Sequence, residues 1–261
     1  MKRAMSVAGS FYPASNEEIE SYLKYFNKVF EKHFSLIDTC SRAVIVPHAG
    51  YIYSGFTANI AYRILQNSAI KRFVVIGPSH RIGFNGISLC EFEEYDTPFG
   101  ALKCDQEIVK ALQENFQIGC VPEAHHEHST EVQFPFLKHY IPDATLVELV
   151  YSSVDTESVS HIIDYLLKQN DIGIIISTDL SHFYTLKEAN LRDQICINAI
   201  ENLNLEKLEE GCEACGMIGV KALLTSAKKF SMQPHIIDYR TSADVSNDTE
   251  SVVGYVSAYF T

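Results

Sequence analysis

Positive charge is scarce in this 261-residue chain: 21 lysines and arginines stand against 33 aspartates and glutamates, a formal net charge of −12. No cluster of Lys and Arg forms the basic stripe or patch of a nucleic-acid surface, so that partner class is excluded. Long apolar runs are missing too. None approaches the roughly 20 residues that cross a bilayer. The opening MKRAMSVAGSFYP also lacks the apolar h-region of a signal peptide, so the chain is expected in the cytoplasm. The seven cysteines (Cys40, Cys90, Cys104, Cys120, Cys196, Cys212, Cys215) are odd in number and scattered, unlike the dense framework of a small secreted domain. Most are expected to be reduced and structural. Repeats, low-complexity segments and long linkers are absent, which predicts one domain over residues 1–261.

What is present is ordinary globular composition, 46% hydrophobic and 21% charged, enough for a sizeable core. Ser15-Asn16-Glu17-Glu18 is a capping box that opens a helix through about Phe30. Strand and helix patterns then alternate. AVIV (43–46) precedes a helix over 54–66, and FVVI (73–76) leads to ISLCEF (87–92), with GALKC (100–104) expected to pair with that segment as a hairpin arm. A helix over 105–114 follows, then ATLVELV (144–150), a helix over 157–168, GIII (173–176) and a helix over 186–202. Continuous β-branched strand runs in α/β order predict a mainly parallel central sheet with helices on both faces. The C-terminal VVGYVSAYF (252–260) partly alternates and reads as an edge or antiparallel strand.

Three of the apolar runs end alike. AVIVPHAG delivers His48, FVVIGPSH delivers His80, and GIIISTDLSH delivers Asp179 and His182. Ligands bind beyond the carboxyl ends of parallel strands, where neighbouring loops converge. Two imidazoles, read here as coming from adjacent strands, are a common beginning for a transition-metal site. The third ligand stays open among Asp179, His182, Glu131 and the histidines of EAHHEHSTE (123–131), and the thiols of CEAC (212–215). Of the two thiols, Cys215 is better placed, at a helix N-terminus that lowers thiol pKa. His128 and Glu131 would share a helix face and are read as pocket-edge or helix-entry residues rather than ligands.

AGSFYP, PHAGYIYSG, GPSH, EHSTEVQFPF, STDLSH and EACG, in this order from Ala8 to the last strand, resemble the Memo (mediator of cell motility) family. The resemblance implies a fold similar to the class III extradiol, LigB-type dioxygenases, which are non-haem iron enzymes. It implies metal ligation by His48, His80 and Cys215, with Asp179 and His182 lining the same cleft. True extradiol enzymes use two histidines and a carboxylate, so a thiolate in third place is a departure that changes metal preference. Fe(II) is the expected metal, with copper or zinc as alternatives. His182 is assigned general acid/base work and Asp179 its orientation or a hydrogen bond to metal-bound water. Tyr12, Tyr51 and Tyr53 are expected to line the pocket.

The favoured function is a metal-dependent oxidoreductase acting on a small molecule. The alternatives are a peptide- or protein-binding scaffold on a dioxygenase-like fold and a zinc hydrolase. The resemblance further implies partners: eukaryotic members are associated with phosphotyrosine peptides and cell motility, and prokaryotic ones occur beside AMMECR-like and radical-SAM proteins.

Overall fold

A computed structural model describes residues 1–33 and 39–261. Its strands are β1 (Lys2–Arg3), β2 (Ala43–Val46), β3 (Arg72–Pro78), β4 (Ile87–Ser88), β5 (Glu94–Tyr95), β6 (Leu102–Cys104), β7 (Thr145–Tyr151), β8 (Ile172–Ser177), β9 (His182–Tyr184), β10 (Pro234–Thr241) and β11 (Val252–Phe260). Its α-helices are α1 (Asn16–His33), α2 (Tyr51–Gln66), α3 (Gln106–Asn115), α4 (His128–Glu131), α5 (Gln133–Tyr140), α6 (Thr156–Leu167), α7 (Leu186–Glu201), α8 (Leu205–Leu208), α9 (Met217–Lys229) and α10 (Ala243–Ser246). A single turn of 3-10 helix covers Pro122–His125.

The main path of the sheet runs β1-β5-β6-β7-β3-β8-β2-β11-β10, with β4 on β7 and β9 on β11. Its centre, β6-β7-β3-β8-β2, is parallel throughout. This is the α/β architecture that the sequence predicts. Every residue of β2 and β8 is buried, as expected of strands covered on both faces. The Ser15 hydroxyl accepts from the Glu18 amide, so the capping box starts α1 as read. Asp105, Asp155 and Thr185 cap α3, α6 and α7 in the same manner.

Three pairings differ from expectation. The segment after β3 yields only the short β4, which pairs with β7, while β6 takes β5 as its antiparallel partner. β11 is antiparallel but lies inside the sheet, because β10, half-buried and polar in part, forms the edge beyond it. And β2 and β3 are not neighbours: β8 runs between them and pairs with both. His48 and His80 therefore flank the end of β8 rather than sit side by side.

Candidate metal centre

Gly77, one residue before the end of β3, explains how a fourth segment joins the strand ends. A Cβ there would come within 2.8 Å of the Ser129 hydroxyl, so glycine lets α4 lie directly on the strand. Ser129 then donates to the Pro78 carbonyl at 2.7 Å. That contact brings His128, the first residue of α4, over His80.

His48, His80 and His128 form a triangle. One ring nitrogen of each lies within 4.8 Å of those of the other two, and ring centroids stand 4.5 to 5.3 Å apart. A buried carboxylate sets two of these rings. Glu127 Oε1 lies 3.1 Å from His80 Nδ1 and 2.8 Å from His128 Nδ1, and Oε2 accepts from the His80 amide at 2.6 Å. Oε1 also caps α4 through the Ser129 amide. Burial alone would raise this carboxyl, but the hydrogen bonds from His128 and His80 prevail and hold it well below the usual carboxylate range. An ionised carboxylate can only accept, so both imidazoles carry a proton on Nδ1, and in the neutral ring Nε2 is then the atom with a lone pair.

The third ring reaches the same state by another route. Ser177, at the end of β8, donates its hydroxyl hydrogen to the Ser129 carbonyl and accepts from Gln133 Nε2 at 2.9 Å. His48 Nδ1, 3.0 Å from that hydroxyl, must therefore be the donor. Burial, reinforced by His128 and His80, pushes the His48 imidazolium well down, so this ring is neutral. Each imidazole is thus oriented through its Nδ1, as metal-bound histidines normally are, and one ring nitrogen of each converges with the others within 4.8 Å. The donor chemistry fits a divalent transition metal.

Cys215 adjoins this triangle. Its sulfur lies 3.2 Å from His48 Nε2 and accepts from the Asp179 amide at 3.2 Å. Gly216, the N-cap of α9, is required here, because a Cβ would meet the Ser177 carbonyl and the Thr178 side chain at under 3 Å. Burial, with the Asp179 charge next, pushes the thiol up to about 12. A metal cation reverses that preference by stabilising the thiolate. Asp179 accepts from the His48 amide at 2.8 Å, and its Oδ2 is 3.9 Å from His48 Nε2; burial raises its carboxyl. His182 opens with Cys215, Cys212 and Met217 onto a cavity of about 360 Å³.

Other expected site residues are placed differently. The Glu131 carboxylate, 0% exposed, receives Arg3 at 2.6 Å, the Ser6 and Val7 amides and the Tyr12 hydroxyl at 2.8 Å, and so is a structural anchor rather than a pocket wall. Tyr51 stacks on Phe136 and donates to the Val132 carbonyl. Tyr12 and Tyr51 border a separate cavity of about 560 Å³ beside Phe11, and Tyr53 is 40% exposed. His128, read as a pocket-edge residue, stands inside the triangle. Glu127 was not among the candidates; its signal was a carboxylate wedged between two histidines.

The expectation of mostly reduced cysteines also changes. Cys90 bonds to Cys120 and Cys196 to Cys212, leaving Cys40, Cys104 and Cys215 free. The second half of C-E-A-C is thereby kept from the first. No helix among the described residues is long and apolar enough to cross a membrane.

The site's elements span the chain, and so does its likeness to known proteins. A family model described as Memo-like protein matches residues 3–259. A MEMO1 family protein of Thermoplasma acidophilum is 36% identical, the alignment covering 98% of each chain. One from Aquifex aeolicus is 32% identical over 99% of this chain and 98% of its own, and one from Sulfurisphaera tokodaii 30% identical over 100% and 99%. With near-complete coverage in every case, the chain belongs to the Memo family.

Proposed function

We propose that this protein is a metal-dependent oxidoreductase that holds iron, or alternatively copper, on His48, His80 and His128 and acts on a small molecule in the His182 cavity. The observation that carries this reading is the convergence of three histidines whose Nδ1 atoms are each held by a protein group. Glu127 holds the Nδ1 of His80 and of His128 and Ser177 holds that of His48, which leaves the opposite nitrogen of each ring to a ligand. Cys215, beside His48, is available as a further sulfur ligand and would favour a softer metal. The metal supplies electron transfer and Lewis acidity. The chain supplies the proton: His182 is the acid/base group at the cavity wall, and Asp179, held by the His48 amide, polarises that wall.

A zinc hydrolase is the second reading, favoured by the three-nitrogen set itself, which resembles catalytic zinc sites that leave a position open for water. One experiment separates the two. Metal content is measured on anaerobically prepared wild type and on His48→Ala, His80→Ala, His128→Ala and Cys215→Ala. Near-stoichiometric iron or copper, lost in the three histidine variants, supports the oxidoreductase. Zinc lost in the same variants supports the hydrolase, and metal indifferent to all four substitutions sinks both.

A further inference from the structure

We propose that the Cys196–Cys212 disulfide is an exchange site for a low-molecular-weight thiol, reached from the active-site cavity, and that exchange there transfers Cys215 from the metal centre into a Cys212–Cys215 disulfide. The second half of this statement rests on the metal-centre reading; the first does not.

The two sulfurs of the disulfide are not equivalent. Cys196 is on α7 and 0% exposed, whereas Cys212 is 9% exposed and lines the 360 Å³ cavity with His182, Cys215 and Met217. A small thiol entering that cavity meets Cys212 first. Access and the identity of the sulfur attacked govern such reactions. The incoming thiolate bonds to Cys212 Sγ, the Cys212–Cys196 bond breaks, and Cys196 leaves with the electron pair and takes up a proton. The product is a mixed disulfide at Cys212.

Cys215 stands three residues on, in C-x-x-C spacing, and residues 212–214 between α8 and α9 have no regular secondary structure to hold the two sulfurs apart. The Cys215 sulfur displaces the small thiol, which departs with the proton that Cys215 gives up, and Cys212–Cys215 forms. One disulfide has been exchanged for another with no net oxidation, the small thiol acting as catalyst. What is lost is the 3.2 Å contact of Cys215 with His48 Nε2 and the hydrogen bond from the Asp179 amide. The three histidines remain.

The rest of the loop is fastened by groups that exchange leaves intact. Glu213 is paired with Arg192 at 2.8 Å and accepts from the Tyr184 hydroxyl at 2.8 Å. Cys90–Cys120 supplies an internal reference. Its Cys120 is exposed, but no third cysteine follows within three residues, so it can form a mixed disulfide and cannot isomerise.

The test uses the full chain, oxygen-free, with reduced glutathione as the probe thiol. Acid quenching, alkylation and mass-spectrometric mapping of disulfide-linked peptides give the partners of each cysteine. The expected result is the appearance of Cys212–Cys215 with Cys196 alkylated, and in Cys215→Ser an accumulation of glutathione on Cys212. Persistence of Cys196–Cys212 with Cys215 fully alkylated, or glutathione on Cys196 instead, would overturn the exchange site. Repeating the reaction with iron or zinc loaded reads the second half separately. Slower conversion of the Cys212 mixed disulfide to Cys212–Cys215 in the loaded protein ties Cys215 to the metal, and equal conversion overturns that link while leaving the disulfide map and the metal content as independent results.

Discussion

One nine-residue stretch, EAHHEHSTE, builds two buried carboxylate centres of different kinds. Glu127 and His128 face the strand ends, where the partners of Glu127 are imidazoles and amides. His125 and Glu131 face the other way. There His125 Nδ1 meets Glu148 at 2.7 Å, Arg3 joins Glu131 at 2.6 Å and Glu148 at 3.5 Å, and Thr130 donates to Glu148. In the second centre the Arg3 guanidinium reaches both carboxylates, and every carboxylate oxygen already has a donor, from Arg3, His125, Thr130, Tyr12 or the Ser6 and Val7 amides. The first leaves one ring nitrogen of each of three imidazoles within 4.8 Å of the others, an arrangement that a cation from outside would complete. A buried ion cluster that is closed is a structural device, and one that is open is a site.

The largest effect belongs to the closed centre. Arg3→Ala leaves Glu131 and Glu148 buried without their cation and is expected to cost about 3–5 kcal/mol of stability, read by denaturant unfolding. At a metal concentration that saturates whatever remains folded, metal stoichiometry should stay unchanged. Loss of metal from a folded Arg3→Ala protein would show that the two centres are not separable. The second effect belongs to the open centre. Glu127→Gln keeps the shape but replaces an acceptor-only group by one that also donates, freeing the His80 and His128 tautomers. Metal affinity should fall by about 10- to 100-fold in competition with a chelator, and unaltered affinity would refute the role given to Glu127.

Acid probes the closed centre through one of its carboxyls. Burial works to raise the Glu148 carboxyl, but Arg3 and His125 prevail and hold it below its ordinary value. A carboxyl depressed in the folded state contributes stability that is complete above its unfolded value and is lost as pH falls through its folded one. Each such group adds up to about 1.4 kcal/mol per pH unit to the slope in that acidic window. Glu148→Gln should flatten the acid limb of the stability profile. An unchanged slope would mean that Glu148 does not titrate between the two states.

The sequence was readable where burial leaves a local mark. Runs such as AVIV (43–46) and GIII (173–176) carry no polar side chain because both faces are covered, and this located the parallel sheet and the loops that carry His48, His80, Asp179 and His182. The order of the strands left no such mark. That β8 separates β2 from β3 depends on long-range pairing, and the two-residue strands β1 and β5 are too short for any period to show. Glu127 was hidden for a similar reason. A glutamate among histidines reads as a solvated loop residue, and its inward turn follows from Gly77 admitting α4 to the surface of β3, fifty residues earlier in the chain.

The smallest and sharpest contrast uses the same substitution in each centre. Ser177 receives His48 Nδ1 at 3.0 Å in the open centre, and the Ser88 hydroxyl lies 2.9 Å from His125 Nε2 in the closed one. Each serine fixes one ring through one hydroxyl, and alanine removes that hydroxyl alone. In Ser88→Ala the ring keeps its strong partner Glu148 but the Val121 amide also loses its acceptor, so the cost is two hydrogen bonds, about 1–3 kcal/mol of stability, with metal affinity untouched. In Ser177→Ala the His48 ring keeps its place, packed at 1% exposure, but loses the group that assigns its proton to Nδ1. The proton is then free to occupy Nε2 and block the lone pair. Metal affinity should drop by about tenfold, beyond a loss of stability that also reflects the hydroxyl's bonds to Ser129 and Gln133. If the two variants differ in stability alone, the histidine triangle is held together by packing, and the matched tautomers are a by-product of the fold.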